Sequence, residues 1–282
     1  MNRSNLHGLP DAIVNAVIND PYSGGGDISV TKLIDSPQRR VLRKKYDDVI
    51  VEDITRSFFS LLGQGVHAIL ERSEKEGIVE QRLFADIGGW KLSGAFDRLD
   101  LREKSLDDYK VTSVYNTGPK PEWERQLNIL RWLAVKNGYD VAKLRIIALY
   151  RDWSESAKER KADYPQVPIA AIDIPVWDIQ ETERYIEERI ALHQRAEAGE
   201  QIDCTDEDRW YSQTTYALKK KGLKRAVKIY TSKEDAGDIP EGMVLEERKG
   251  TFRRCEKYCE VAPFCPQWTG SNDGEEVSDA EW

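Results

Sequence analysis

Between Lys91 and Lys110 the chain is written as two strands with little choice but to lie side by side. The segment Lys91-Leu92-Ser93-Gly94-Ala95-Phe96-Asp97-Arg98-Leu99-Asp100-Leu101 reads as one strand, and the short connection from Arg102 to Ser105 leads into a second that ends Asp108-Tyr109-Lys110. So short a link joins antiparallel neighbours. Residues two apart on a strand share a face, so Asp108 and Lys110 project together while Tyr109 points away. Pairing of this kind sets Asp97 beside Asp108 across the ladder, where two carboxylates repel unless a cation lies between them. Gly94, without a side chain, permits close approach of a neighbouring backbone or ligand.

A hard divalent cation with oxygen ligands is the natural occupant of such a space, and Mg2+ suits a site of few carboxylates and a phosphate substrate. Hydrolysis of a phosphodiester requires a positioned water, neutralisation of the charge developing at phosphorus and help for the leaving alkoxide. Metal held by Asp97 and Asp108 answers the second need, and Lys110 can orient the water or stabilise the transition state. Alone, an Asp-x-Lys triplet would pass for a surface hairpin. Two further residues give it weight. Gln126 lies in the periodic stretch Glu122 to Ala134, introduced by Pro119 and Pro121, whose Leu127, Leu130 and Ala134 form a core face with Trp123 one turn earlier. His67 lies in the segment Ile54 to Glu76, where Phe58, Leu61, Leu62, Val66, Ile69 and Leu70 recur at helical spacing and place it near an apolar stripe.

Taken in order, Gly94-x-x-Asp97, the strand ending Asp108-Tyr109-Lys110 and Gln126 on a helix resemble the PD-(D/E)XK nuclease superfamily. With His67 on an upstream helix, the pattern is similar to the RecB-type exonuclease branch, over roughly residues 29 to 200. Ser36-Pro37 before a basic helix also occurs in relatives of that branch. The resemblance implies an α/β (α+β) fold: a central mixed β-sheet flanked by helices, with a restriction-endonuclease-like αβββαβ core. It implies a Mg2+- or Mn2+-dependent deoxyribonuclease, an exonuclease serving DNA recombination, repair or processing. His67, Asp97 and Asp108 would be metal ligands with the Tyr109 carbonyl assisting, Lys110 would be catalytic, and Gln126 would contact Lys110 or the scissile phosphate. Glu80 and Glu71 are weaker additions. The alternative is a non-catalytic nucleic-acid-binding or scaffold protein that keeps the fold and a cysteine-bound metal.

The remaining elements follow in turn: a strand over Lys143–Arg151, a charged polar excursion from Asp152 to Pro165, a strand over Val167–Ile174, and an amphipathic helix from Trp177 to Ala198 that Gly199 is placed to end. All four cysteines come late. Cys255-x3-Cys259-x5-Cys265 with a distant Cys204 can close a four-sulfur site for zinc or an iron-sulfur cluster, and without a secretory signal disulfides are the lesser use. Enzymes of the RecB-type branch include some clamped by a four-cysteine [4Fe-4S] cluster, which this trio resembles. Here three residues rather than two separate the first pair, and the lone cysteine follows the core instead of preceding it.

With a formal net charge of -8, the surface as a whole does not attract nucleic acid indiscriminately. Basic clusters at Lys219, Lys220, Lys221, Lys224 and Arg225 and at Arg39 and Arg40 are candidate phosphate contacts, with Trp210, Tyr211 and Tyr216 nearby for stacking. DNA is the expected partner, joined by a recombination, helicase or single-strand-binding protein. No run approaches the length of a membrane span and the N-terminus lacks a signal peptide's basic and apolar regions, so an intracellular location is the expectation. The organisation read from the sequence is a flexible entry over 1–28 containing a short helix, a nuclease core over 29–200, a cysteine-containing subdomain over 201–268 and an acidic disordered tail over 269–282.

Overall fold

The structure, a computed structural model, describes residues 2–19 and 25–270. Gly24 of the expected Gly24-Gly25-Gly26 entry and the acidic tail beyond Gly270 lie outside the described residues. The chain divides into two compact units, Met1–Pro37 with Asp47–Glu200 in one, and Gln38–Tyr46 with the chain from Gln201 onward in the other. The basic helix after Ser36 therefore groups with the cysteine-containing part, and not with the core in which its place in the sequence put it.

In the larger unit the elements run β1 (Asn2–Ser4), α1 (Asp11–Ile18), β2 (Ile28–Ser29) and α2 (Val30–Leu33). After α3 (Pro37–Lys45), which belongs to the other unit from its second residue, come β3 (Val51–Asp53), α4 (Phe58–Ser73), β4 (Ile78–Ile87), β5 (Trp90–Asp100) and β6 (Ser105–Thr112). Then follow α5 (Pro121–Lys136), β7 (Lys143–Tyr150), α6 (Glu155–Lys158), β8 (Ile169–Ile174) and α7 (Ile179–Glu197). From α4 to β7 the long elements follow the order helix, three strands, helix, strand. The N-terminal stretch supplies β1, which pairs in parallel with β3, as well as the short helix. Among the described residues no helix is long and apolar enough to cross a membrane.

One mixed six-stranded sheet holds the unit together, with β2, β5, β6, β7 and β8 in line and β4 paired to β5. β6 and β7 run parallel because α5 carries the chain back between them, whereas β7 and β8 are antiparallel. The 100–105 connection is tight. Asp100 Oδ1 accepts the N–H groups of Arg102 and Glu103, both at 2.9 Å, and Lys104 takes a φ of +51° to complete the turn.

α5 is the centre of the core. Trp123, Leu127, Asn128, Ile129, Leu130, Trp132, Leu133 and Ala134 are all buried, more than the single stripe its sequence suggests. Gly94 lets it come close: a Cβ there would lie 2.6 Å from Leu130 Cδ2, 2.8 Å from Val30 Cγ2 and 2.9 Å from Leu133 Cδ1. α7 packs through Thr182, Ile186, Ile190, His193 and Ala196, is capped by the Asp178 carboxylate and ends before Gly199 at φ +98°. α4 departs from expectation. None of its residues is buried, and Phe58 and Phe59 are each 60% exposed, so its apolar stripe is not a core face.

The smaller unit is built on a three-stranded antiparallel sheet of β10 (Thr215–Lys220) between β11 (Ala226–Tyr230) and β12 (Met243–Arg248), with β9 (Tyr211–Ser212) paired to β13 (Thr251–Phe252). Its short helices are α8 (Arg253–Lys257) and α9 (Pro266–Thr269).

Candidate active site

β5 has an edge that two strands share. From Trp90 to Leu99 it pairs with β4 on one side; on the other, β6 pairs with Arg98, Leu99 and Asp100, while β2 pairs with Leu92 and Ser93. Between them, from Gly94 to Asp97, the ladder is open. The last rung is Arg98 opposite Asp107, and one step further Asp97 Oδ2 takes the Tyr109 N–H at 2.7 Å, a side chain filling the place of a backbone carbonyl. The strands part at this point. A cavity of about 620 Å3 occupies the fork, lined among others by His67, Glu80, Arg82, Asp97, Asp108, Lys110 and Gln126.

Charge pairing holds the fork open at its base. Buried Asp107 lies between Arg98 Nη1 at 2.8 Å and Arg145 Nε at 2.7 Å, and Arg98 reaches on to Asp100 and Glu74. Two guanidinium groups around one carboxylate fix the strand that presents Asp108 and Lys110.

Within the cavity two groups form. The ligand atoms of His67, Glu80 and Asp97 all lie within 4.8 Å of one another. His67 Nδ1 is 3.2 Å from Glu80 Oε1 and 3.6 Å from Asp97 Oδ1, and Nε2 is 3.1 Å from the Tyr109 carbonyl. With acceptors at both ring nitrogens, the hydrogen bond to Glu80 chief among them, the imidazole is pushed up to about 9 and holds two protons. Burial and the neighbouring Asp108 push the Asp97 carboxyl up to about 7, against the pull of His67 and Lys110.

The second group is Asp108, whose Oδ2 lies 2.7 Å from Lys110 Nζ and whose Oδ1 accepts from Gln126 Nε2 at 3.0 Å. Burial lowers the Lys110 ammonium, but Asp108 and then Asp97 more than offset it and hold it above the usual lysine range.

His67, Asp97, Asp108, Lys110 and Gln126 are therefore brought together in one cavity, with three differences from expectation. Glu80, a weaker addition in the sequence, stands in the tight group, while Asp108 is tied to Lys110 and Gln126. Gln126 touches the Asp108 carboxylate and not Lys110. Glu71 is exposed outside the cavity. Glu80 reaches its place through a backbone break: its φ is +48°, and it drops out of a ladder in which Val79 pairs with Arg98 and Gln81 with Phe96. No spacing rule announces that. Arg82, two residues on, and Ser29, Thr31 and Lys32 also line the cavity and were not foreseen; alternation along β4 from Glu80 was the one signal for Arg82.

In the smaller unit Cys204, Cys255, Cys259 and Cys265 line one small cavity with Gln38, Arg39 and Leu42, and none is in a disulfide. Burial pushes the Cys259 thiol up. Two of the candidate phosphate contacts are engaged internally. Arg39 clasps Glu260 through Nη2 at 2.7 Å and Nε at 3.1 Å, and Lys219 pairs with Glu246 across β10 and β12. Lys220, Lys221, Lys224 and Arg225 stay exposed on the hairpin between β10 and β11, and Arg40 is half-buried.

No known family model matches the chain, and no curated protein matches it. Among solved structures it is similar to the protein SSO0001, with 21% identity and a TM-score of 0.46 over 64% of this chain and 83% of that one. It is also similar to a Eubacterium rectale protein provisionally named an exonuclease, with 13% identity and a TM-score of 0.33 over 57% of this chain and 62% of that one.

Proposed function

We propose that this chain is a divalent-metal-dependent DNA nuclease of the PD-(D/E)XK kind, with its active site in the sheet fork. The observation that carries the reading is the meeting in one cavity of the His67, Glu80 and Asp97 ligand atoms with the Asp108–Lys110 pair. The order helix, three strands, helix, strand around the fork supports the restriction-endonuclease-like core that the sequence resemblance implies. A donor set of carboxylates, one imidazole and a nearby carbonyl suits Mg2+ or Mn2+. When bound, such a cation neutralises charge on the phosphate and lowers the pKa of the attacking water.

The chain's own groups do the rest. His67, Glu80 and Asp97 hold the cation, with Asp108 and the Tyr109 carbonyl bordering the same space. Lys110, kept charged by Asp108, donates to a non-bridging phosphate oxygen or to the attacking water. Gln126 fixes the Asp108 carboxylate and through it the direction of the ammonium. Asp108→Ala removes the anchor of Lys110 and one carboxylate of the cavity. It is expected to lower cleavage of labelled single- and double-stranded DNA in Mn2+ by at least about a hundredfold, with circular dichroism unchanged. Undiminished cleavage by that variant rejects the assignment.

The four cysteines are proposed to hold a structural metal group. All four line one small cavity, and the likeness of Cys255, Cys259 and Cys265 to the trio of the cluster-bearing RecB-type enzymes favours a [4Fe-4S] cluster over a single zinc. Anaerobically purified protein is then expected to be brown with broad visible absorbance; colourless protein carrying stoichiometric zinc overturns this choice.

A further inference from the structure

The cavity holds two cations that the proposed chemistry leaves unused. Arg82 on β4 and Lys32 on α2 both line it, and neither side chain has a hydrogen-bond or ion-pair partner among the described residues. Arg82 is half-buried, so its guanidinium is not simply a solvated surface charge. Long cations elsewhere around the fork are paired: Arg98 and Arg145 with Asp107, and Lys110 with Asp108.

We propose that Arg82 and Lys32 form a subsite for a backbone phosphate of the nucleic acid next to the one being cleaved. The inference rests on the nuclease reading. Arg82 follows Glu80 by two residues on β4, a step of roughly 7 Å along a strand. It is also the register partner of Ala95, two residues before Asp97 on β5. The guanidinium therefore starts one repeat away from the metal-binding carboxylates, the scale of the distance between successive phosphates on a strand. Charge agrees. A divalent cation and Lys110 together balance Glu80, Asp97 and Asp108, and Asp27, which also lines the cavity, offsets one of the two charges of Arg82 and Lys32, which leaves the cavity one positive charge in excess.

The wall carrying Lys32 is held in place from both ends. Asp27 N donates to the Lys91 carbonyl at 2.8 Å while Lys91 N donates to Asp27 Oδ2 at 2.7 Å. The Leu33 carbonyl accepts from Arg189 Nε at 3.0 Å and stands 3.1 Å from His193 Nε2, and the Asp35 carbonyl accepts from Arg189 Nη2 at 2.5 Å. Ser29 Oγ caps α2 by accepting the Lys32 N–H. These bonds fix the backbone from which the exposed Lys32 side chain reaches the cavity.

The test compares Arg82→Ala, Lys32→Ala and Arg82→Lys with the wild-type chain on two probes. One is a fluorescent single-stranded DNA oligonucleotide; the other is thymidine 5′-(p-nitrophenyl phosphate), whose single diester has no neighbouring phosphate. Each alanine variant is expected to lose at least about tenfold more kcat/KM on the oligonucleotide than on the minimal diester, chiefly through KM, with Arg82→Lys recovering part of it. Oligonucleotide binding followed by fluorescence anisotropy in Ca2+ should weaken alongside, and its logarithmic salt slope should shrink by about 0.7 for each contact removed. Equal losses on both probes, or an unchanged salt slope in both alanine variants, overturns the subsite. If the wild-type chain cleaves neither probe, the nuclease reading fails, and the anisotropy slopes still decide for or against the phosphate contact.

Discussion

Glu80 holds a φ of +48°, a left-handed conformation that costs an L-residue roughly 1–2 kcal/mol, in the middle of a strand where nothing about the turn chemistry requires it. What the break achieves is to swing a carboxylate to within 3.2 Å of His67. Strain of this kind persists where the surroundings impose it, and here the strained Glu80 gains its contact with His67. The two effects can be separated. Glu80→Ala and Glu80→Gly both lose the carboxylate, and both are expected to raise the Mn2+ concentration needed for half-maximal cleavage by about tenfold or more. Only the glycine variant is relieved of strain, so urea denaturation should find it about 1 kcal/mol more stable than the alanine variant; equal stabilities would show that the φ is not a constraint. Protons compete for the same atoms. His67 is raised to about 9 and Asp97 to about 7, facing Glu80, Asp108 and Lys110, so the folded chain binds protons that the unfolded chain has released. The sign follows: His67 favours the metal-free fold below about 6.5 and that contribution is gone by about 9, while Asp97 disfavours it increasingly from about 4 to 7. Metal-free Tm should therefore fall from pH 5 to pH 9, and the rise produced by Mg2+ should be larger at the alkaline end. His67, Asp97, Asp108, Lys110 and Gln126 could be picked from the sequence because alternation and helical spacing carry their directions. Glu80 could not be ranked with them, since a single inverted dihedral leaves no compositional trace.

At the scale of elements, the fork depends on how closely α5 approaches β5. Gly94 is the point of closest approach, and an added Cβ would press on Leu130, Val30 and Leu133, all of them buried. Gly94→Ala is expected to cost about 1–3 kcal/mol by overpacking. Gly118, with open space around it and no left-handed φ, offers the contrast: Gly118→Ala should be neutral or slightly stabilising. Urea midpoints measured at unchanged m-values check the pair, and similar effects at both positions would contradict the packing argument. The hairpin from β5 to β6, α5, β7 and α7 were legible because each carries its period and its caps in a short window. α4 was not: its apolar residues have helical spacing, yet periodicity tells only that they share a side and not that anything covers it. The opening in the ladder was equally hidden. It arises because two strands far apart in sequence, β2 and β6, take different lengths of one edge of β5.

Across the whole molecule, sequence distance is the reason charge runs misled. Arg39 looks like part of a free basic patch until Glu260, 221 residues away, is found against it. The same pairing shows how the smaller unit is made, from a helix at residues 38–46 and a segment that begins only at Gln201. Arg43 adds a second contact to Glu260 at 3.4 Å, and Tyr46 stacks on Phe264 with ring centroids 4.3 Å apart. Gln38, Arg39 and Leu42 also line the cysteine cavity, so a metal group held there would join the helix to the late segment and close a long loop of chain. The smaller unit should then depend on its thiols far more than the larger one does. Cys259→Ser is expected to make residues 201–270 the first target of limited proteolysis, while a fragment ending near Glu200 resists digestion at protease concentrations that leave the wild-type chain whole. Mass spectrometry of the fragments over time reads the order directly. Simultaneous loss of both units would mean that they unfold as one, and unchanged resistance would mean that the cysteines hold nothing the unit needs.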